Sequence, residues 1–473
     1  MPRDLLDRLL LASAIFLLVF SPLAYGGVEP WALKIVLSVV GFMVAIWLFR
    51  VLGGLHELGV GFRSALPFVL FLLLVLIQLT PLPAHWRSLV EFSRPAQASS
   101  GPTSPQTNPA ATEQDWDSIS LNSELTSASL IGLLAFVGFC LVVVQTFRRS
   151  FQIRSLLIVI VLLGLGEATY GLYEYWSGRQ QIFWYHKVFY TEDVTGTYIN
   201  HNHFAGLLEL IIPLAVAFLV LEYQSGSRLR QETRAFRGWR LAGLVGSLGI
   251  LCTALVLSGS RGGMAASLAS LVFLTAMLVR GQSPPLRLRR FWASVVILTV
   301  AVGILLGEAI LERFSYTIRD APQRLSLWKD SLKIVRDYPL LGTGLGTYRE
   351  AIVPYRTARD YMPVAGLLQP GRWEYAHNDY LQLVVECGLL GALLLFWAAV
   401  SLLKWLWRRI SGLARWEDRV LAWSLLSSLL AMLVHSVVDF NLHIPANALL
   451  FSLILGLCIV LAQASHPPEP AVQ

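Results

Sequence analysis

The chain has 473 residues, of which 55% are apolar and only 14% charged, well below the roughly 25% charged of soluble domains. That balance excludes a water-soluble globular protein. Repeated apolar runs of roughly 20 residues, enough to cross a hydrocarbon core of about 30 Å, specify a polytopic, all-α integral membrane protein. The net charge of +7 calls for no nucleic-acid partner, because arginines gathered on one side of a membrane account for it.

The first apolar run, MPRDLLDRLLLASAIFLLVF, has the charged start and apolar centre of a secretory signal. No small-x-small cleavage site follows and another span comes at once, so it reads as an uncleaved first helix. Hydropathy predicts about twelve transmembrane helices: 9–23, 31–49, 65–79, 127–146, 153–175, 204–221, 241–257, 263–279, 291–306, 379–403, 420–437 and 446–462. Arginines cluster in alternate loops, at Arg148, Arg149 and Arg154, at Arg228 to Arg240, at Arg280 to Arg290, and at Arg408 to Arg419. With twelve spans these loops share one side, which the positive-inside rule makes the cytoplasm, together with both termini. Cys140, Cys252, Cys387 and Cys458 all fall in predicted spans, so neither a disulfide nor a metal site is expected of them.

The unusual segments then lie on the opposite, outer face. Residues 81–126 form a Ser/Pro/Thr-rich loop, expected to be a flexible flap or spacer without chemistry of its own. Residues 307–378 form the largest outer loop. Within it, RLSLWKDSLKIV places Leu325, Trp328, Leu332 and Val335 at helical spacing, which predicts an amphipathic helix. The following GTGLGT has no preceding strand and lacks the phosphate-loop pattern. The whole chain reads as a single polytopic domain, 1–473.

Several residues carry candidate chemistry. His377 stands at the mouth of a span, beside Asn378, Asp379 and Tyr380. An imidazole suits proton removal near neutral pH, and Asp379 or another carboxylate can fix its tautomer. Arg261, in the turn SGSRGG, lies on the face where the positive-inside rule expects no arginine. Next to a helix N-terminus it makes an anion site. Arg324 opens the amphipathic helix near Arg313 and Arg319, and guanidinium forks suit phosphate oxygens. The run Asn200, His201, Asn202 and His203 reads as a polar rim that contacts substrate; it lacks a third metal ligand. Tyr348, Arg372, Asn378, Asp379 and Tyr380 complete the expected substrate-binding set. Glu167, Glu209 and Glu386 sit inside spans and need internal partners, a cavity or a proton. Together these residues describe a cationic, histidine-bearing cavity for a pyrophosphate-linked lipid.

GTYINHNHFAG, LSGSRGG, RLSLWKDSLKIVRDYPLLGTGLGTY and AHNDYLQLVVECGLLG, in this order, resemble the O-antigen ligase and polymerase superfamily. The resemblance covers 198–403 and extends to the whole topology. It implies a multi-span membrane glycosyltransferase of the bacterial inner membrane, with its active site in the periplasm. The implied donor is an undecaprenyl-pyrophosphate-linked glycan, used without nucleotide sugar, metal or other cofactor. Carried over to this sequence, His377 is the general base of an inverting transfer, and Arg261 and Arg324 bind pyrophosphate. The superfamily shares its donor chemistry and differs in its acceptor, which these motifs do not identify. The chain is read as a ligase with lipid A–core as acceptor; a lipid-linked repeat unit (polymerase) or a protein hydroxyl (oligosaccharyltransferase) is the alternative. A lipid-linked sugar flippase or transporter is the non-enzymatic alternative. It fits less well, because the polar features crowd one face and no internal repeat is evident.

Overall fold

A computed structural model describes residues 3–53, 62–83, 85, 116–225, 234–280, 323–356, 361–364, 367–370 and 374–464. Among these, ten helices are long and apolar enough to cross a membrane, and a shorter apolar one covers Leu66–Leu79. The protein is therefore an all-α polytopic membrane protein. The helices run α1 (Arg3–Leu23), α2 (Pro30–Leu52), α3 (Phe62–Leu79), α4 (Ser123–Thr146), α5 (Ser150–Ser177), α6 (His201–Ser225), α7 (Arg234–Leu257) and α8 (Arg261–Val279). After α9 (323–337) come α10 (Tyr348–Ala351), α11 (Asp379–Ser411), α12 (Trp416–His435) and α13 (Pro445–Gln463). Three two-stranded ribbons are the only sheets among the described residues. The span expected at 291–306 lies outside the described residues, as do Arg313, Arg319, Arg372 and the Pro/Ser-rich stretch 99–114.

Burial separates central from peripheral helices. In α6 and α13 the apolar windows are 89% and 83% buried, against 17% in α7, so α6 and α13 are wrapped by protein and α7 faces lipid. Small residues let the centre close up. Ala266, Ser267 and Ser270 of α8 and Ser424, Ser427 and Ser428 of α12 are buried, and the Ser427 hydroxyl donates to the Ser270 carbonyl across the two helices. Small side chains allow backbones to approach, and the hydroxyls of Ser270, Ser424, Ser427 and Ser428 donate to backbone carbonyls where lipid offers no acceptor.

The amphipathic helix forms, but its buried stripe differs from the predicted one. Leu325 and Leu332 are 51% and 57% exposed, whereas Leu327, Ser331, Ile334 and then Tyr338 turn inward. They pack with Tyr348, Ala351, Ile352, Ala376 and Val385 into a small separate core. The predicted stripe was offset because a hydroxyl, Ser331, occupies a core position, where it pairs with the Tyr348 phenol at 2.8 Å.

GTGLGT is a latch. Gly342, Gly344 and Gly346 all have positive φ, which glycine adopts without steric cost. The turn they make aims the Gly346 N–H at Glu386 Oε2, 2.8 Å away, and the Tyr348 N–H at Oε1, 3.3 Å away. Gln382 donates to the same carboxylate at 3.0 Å. The internal partner needed by Glu386 is thus this loop. Directly after it, α11 breaks at Gly388 (φ 65°, ψ −179°). The freed backbone pairs with the segment before the loop: Leu389 N–H donates to the Pro339 carbonyl and Leu390 N–H to that of Leu340. A side chain at position 388 would collide with the Leu340 carbonyl. The end of the 81–126 loop is built in too. Leu121 N–H donates to the Thr343 carbonyl, and Asn122 both caps α4 and donates to Glu350.

Candidate functional site

Helix direction gathers the candidate chemistry at one end of the bundle. The N-terminal ends of α6, α8, α11 and α13 meet the C-terminal end of α12 around the turn 435–440. Four helix N-termini present partial positive charge to one region.

Three residues far apart in the sequence reach this turn. Arg324 Nη1 donates to the Val438 carbonyl at 2.9 Å. Gly262, the neighbour of Arg261, lies so close to His435 and Val438 that a β-carbon would meet the imidazole at 2.7 Å. His377 Nδ1 lies 3.4 Å from Asp439 Oδ1. The carboxylate facing His377 is therefore Asp439. Asp379 pairs with His443 Nδ1 at 2.9 Å, so of the carboxylates open to His377 it is the other one, Asp439, that faces the imidazole.

His377 has φ +50°, a left-handed conformation that costs free energy in a non-glycine residue. Its neighbours impose it. Trp328 Nε1 donates to the Ala376 carbonyl, Ala376 N–H to Gln382 Oε1, and Asp379 N–H to the Ser436 carbonyl. Phe440 meets the imidazole edge to face at 4.8 Å and stacks on Tyr375 at 4.2 Å. The imidazole remains 20% exposed.

Behind it the polar groups are enclosed. Asp439 is 2% exposed, and its Oδ2 lies 4.0 Å from His435 Nε2. His435 Nδ1 is 2.9 Å from Glu209 Oε2, with both side chains buried. Burial works to raise the Asp439 pKa, but the neighbouring imidazoles of His377, His203 and His435 outweigh it and hold the carboxyl well below its usual range. Asp439 is ionised at neutral pH. For His443, burial acts downward, while the hydrogen bond and charge of Asp379 and the charge of Glu386 raise the pKa overall.

A cavity of about 540 Å³ opens beside the imidazole. His377, Asn200, His203, Tyr198, Tyr375, Phe440 and His443 line it, along with Tyr25 and Glu374. The other proposed contacts serve the framework. His201 turns to the Ser258 carbonyl (2.6 Å) and Asp193, and the Asn202 N–H is used by the Asn200 side chain. Asn378 caps α11 through the Leu381 N–H. Tyr380 donates to the Leu433 carbonyl from an exposed position. Tyr348 is buried against Ser331 and cannot contact substrate, so its expected binding role is corrected to packing. Glu167 accepts from the backbone and hydroxyl of Thr197 and is likewise structural. Asp439, His435 and His443 were missed as site residues. The signal lies in HSVVDFNLH, where one histidine sits at the end of a span and an aspartate and a second histidine follow it before the next.

A family model described as O-Antigen ligase matches residues 246–396, a stretch that includes Arg261, Arg324 and His377 but ends before Asp439. A search of curated proteins finds no match for the chain. Residues 246–396 are thus similar to an O-antigen ligase domain, and the described helices make the protein a multi-pass membrane protein.

Proposed function

We propose that this protein transfers a glycan from an undecaprenyl-pyrophosphate carrier to an acceptor hydroxyl, with lipid A–core as the acceptor, on the periplasmic face of the bacterial inner membrane. One observation carries the reading: His377, Arg324 and the Arg261 turn converge on residues 435–440, beside a cavity ringed by helix N-termini.

The geometry supports the following chemistry. An ionised Asp439 facing Nδ1 keeps the proton on that nitrogen, which leaves Nε2 as the base. Nε2 takes the proton of the acceptor hydroxyl as its oxygen attacks the anomeric carbon. The new C–O bond forms while the bond to pyrophosphate breaks, with inversion. Arg261 and Arg324 take up the charge developing on the leaving pyrophosphate, helped by the helix ends. Asn200 and His203 contact the sugar beside the imidazole. Sidedness follows from charge. The ends of the bundle away from the site carry Arg148, Arg149, Arg280, Arg408, Arg409 and Arg415, so the positive-inside rule makes those ends and both termini cytoplasmic.

The test is the glycolipid profile of cells lacking the gene, complemented with wild type or His377→Ala. Long polymers stranded on the lipid carrier in both the null and the His377→Ala strains support a ligase. Single stranded repeat units would transfer the reading to a polymerase. Full complementation by His377→Ala would remove the general base and, with it, the mechanism.

A further inference from the structure

A second pocket, of about 390 Å³, lies at the end of the bundle opposite His377. It is formed by Arg280 just past the end of α8, by Trp407 near the end of α11, and by Trp416, Arg419 and Trp423 at the start of α12, with Met277 as an apolar wall. The 19 residues of α8 separate Arg280 from Arg261, about 28 Å at 1.5 Å per residue. That is close to one hydrocarbon thickness. The pocket therefore sits at the other membrane boundary, clear of the catalytic machinery.

Its side chains differ from ordinary topology arginines. The Arg419 guanidinium lies 5.8 Å from the Trp416 ring centroid, and Trp407 meets Trp423 edge to face at 5.1 Å. The Trp416 indole N–H is buried and has no hydrogen-bond acceptor among the described residues. A buried donor without an acceptor is costly. Asp418, on the same turn, is 3.6 Å from Arg415 and engaged there. Two guanidiniums and an indole N–H thus border one crevice with aromatic and thioether walls. This is the composition of a site for a phosphate group attached to acyl chains: cations and an N–H for the phosphate oxygens, apolar surface for the first methylenes.

We propose that this pocket binds the headgroup of one anionic phospholipid. The reading is independent of the reaction proposed above. It is tested on the purified full-length chain in mild detergent, by native mass spectrometry and thermal unfolding. The probes are phosphatidylglycerol, phosphatidylcholine with the same acyl chains, and inorganic phosphate. Expected are one retained phosphatidylglycerol and a rise in midpoint that the other two probes do not reproduce. Arg280→Gln with Arg419→Gln should weaken phosphatidylglycerol binding about tenfold or more, the loss expected for charge-assisted hydrogen bonds. Trp416→Phe removes only the indole N–H and keeps most of the ring; it should lower affinity on its own, and it decides the matter if the double variant does not fold. Equal stabilisation by phosphatidylcholine would overturn the proposal, as would undiminished binding by the variants. An equal shift with inorganic phosphate would make this a bare anion site and overturn the lipid.

Discussion

At the scale of single residues, the proposed reaction depends on a charge in the short loop between α12 and α13. Asp439 is buried, ionised and directed at His377. Asp439→Asn keeps the shape but removes the charge, so transfer should fall about a hundredfold or more with protein abundance unchanged, as measured by release of glycan from the lipid carrier. Glu209 acts at one remove, through His435. Glu209→Gln should cost less, about tenfold. A larger loss than that of Asp439→Asn would show that Glu209 contacts substrate. His443 supplies a pH dependence. Asp379 raises its pKa above the unfolded value. The resulting stabilisation is complete below about pH 6.5 and is lost as the pH rises through the folded pKa. Asp379→Asn should therefore lower the thermal midpoint more at pH 6 than at pH 9; an equal loss at both would separate the pair from stability.

At the scale of elements, the arrangement that holds His377 is the broken helix α11 and its glycine latch. The break at Gly388 lets residues 385–390 pair with 339–344, and the Glu386 carboxylate closes the loop. This ties the small outer core to the membrane helices, so the loop bearing Trp328 and Ala376 is positioned by the helix that follows His377. Gly388→Ala adds a β-carbon at φ 65° against the Leu340 carbonyl. It should destabilise the protein by about 3 kcal/mol or more, read as lost abundance in the membrane and a lowered thermal midpoint. A midpoint equal to wild type would mean that the latch relaxes freely.

At the scale of the whole molecule, sidedness is the property on which the proposed reaction depends. Trp184 is 83% exposed on the ribbon between α5 and α6, at the site end, whereas Gly412 lies between α11 and α12, at the other. The four natural cysteines are free and no more than partly exposed. Cysteine introduced at Trp184 should react with a membrane-impermeant maleimide in intact spheroplasts, and cysteine at Gly412 only after lysis. The reverse pattern would place the site in the cytoplasm, away from any lipid-linked polymer on the outer leaflet.

Much of this architecture is written in one dimension. Apolar length and arginine bias need no partner, so the helices and their expected orientation follow from local composition, and the family match at 246–396 contains three of the four quoted motifs, all but GTYINHNHFAG. His377, Arg261 and Arg324 stood out because each is a polar group at the edge of an apolar run. Tertiary structure decided what those groups face. Asp439 rather than Asp379 meets His377, Tyr348 packs instead of binding, and Leu325 and Leu332 point outward, because each outcome depends on which distant helix end arrives alongside. The GTGLGT loop shows the difference most clearly. Its sequence allowed a turn and argued against a nucleotide, but only the fold brings Glu386 from another helix to be the anion that its N–H groups hold.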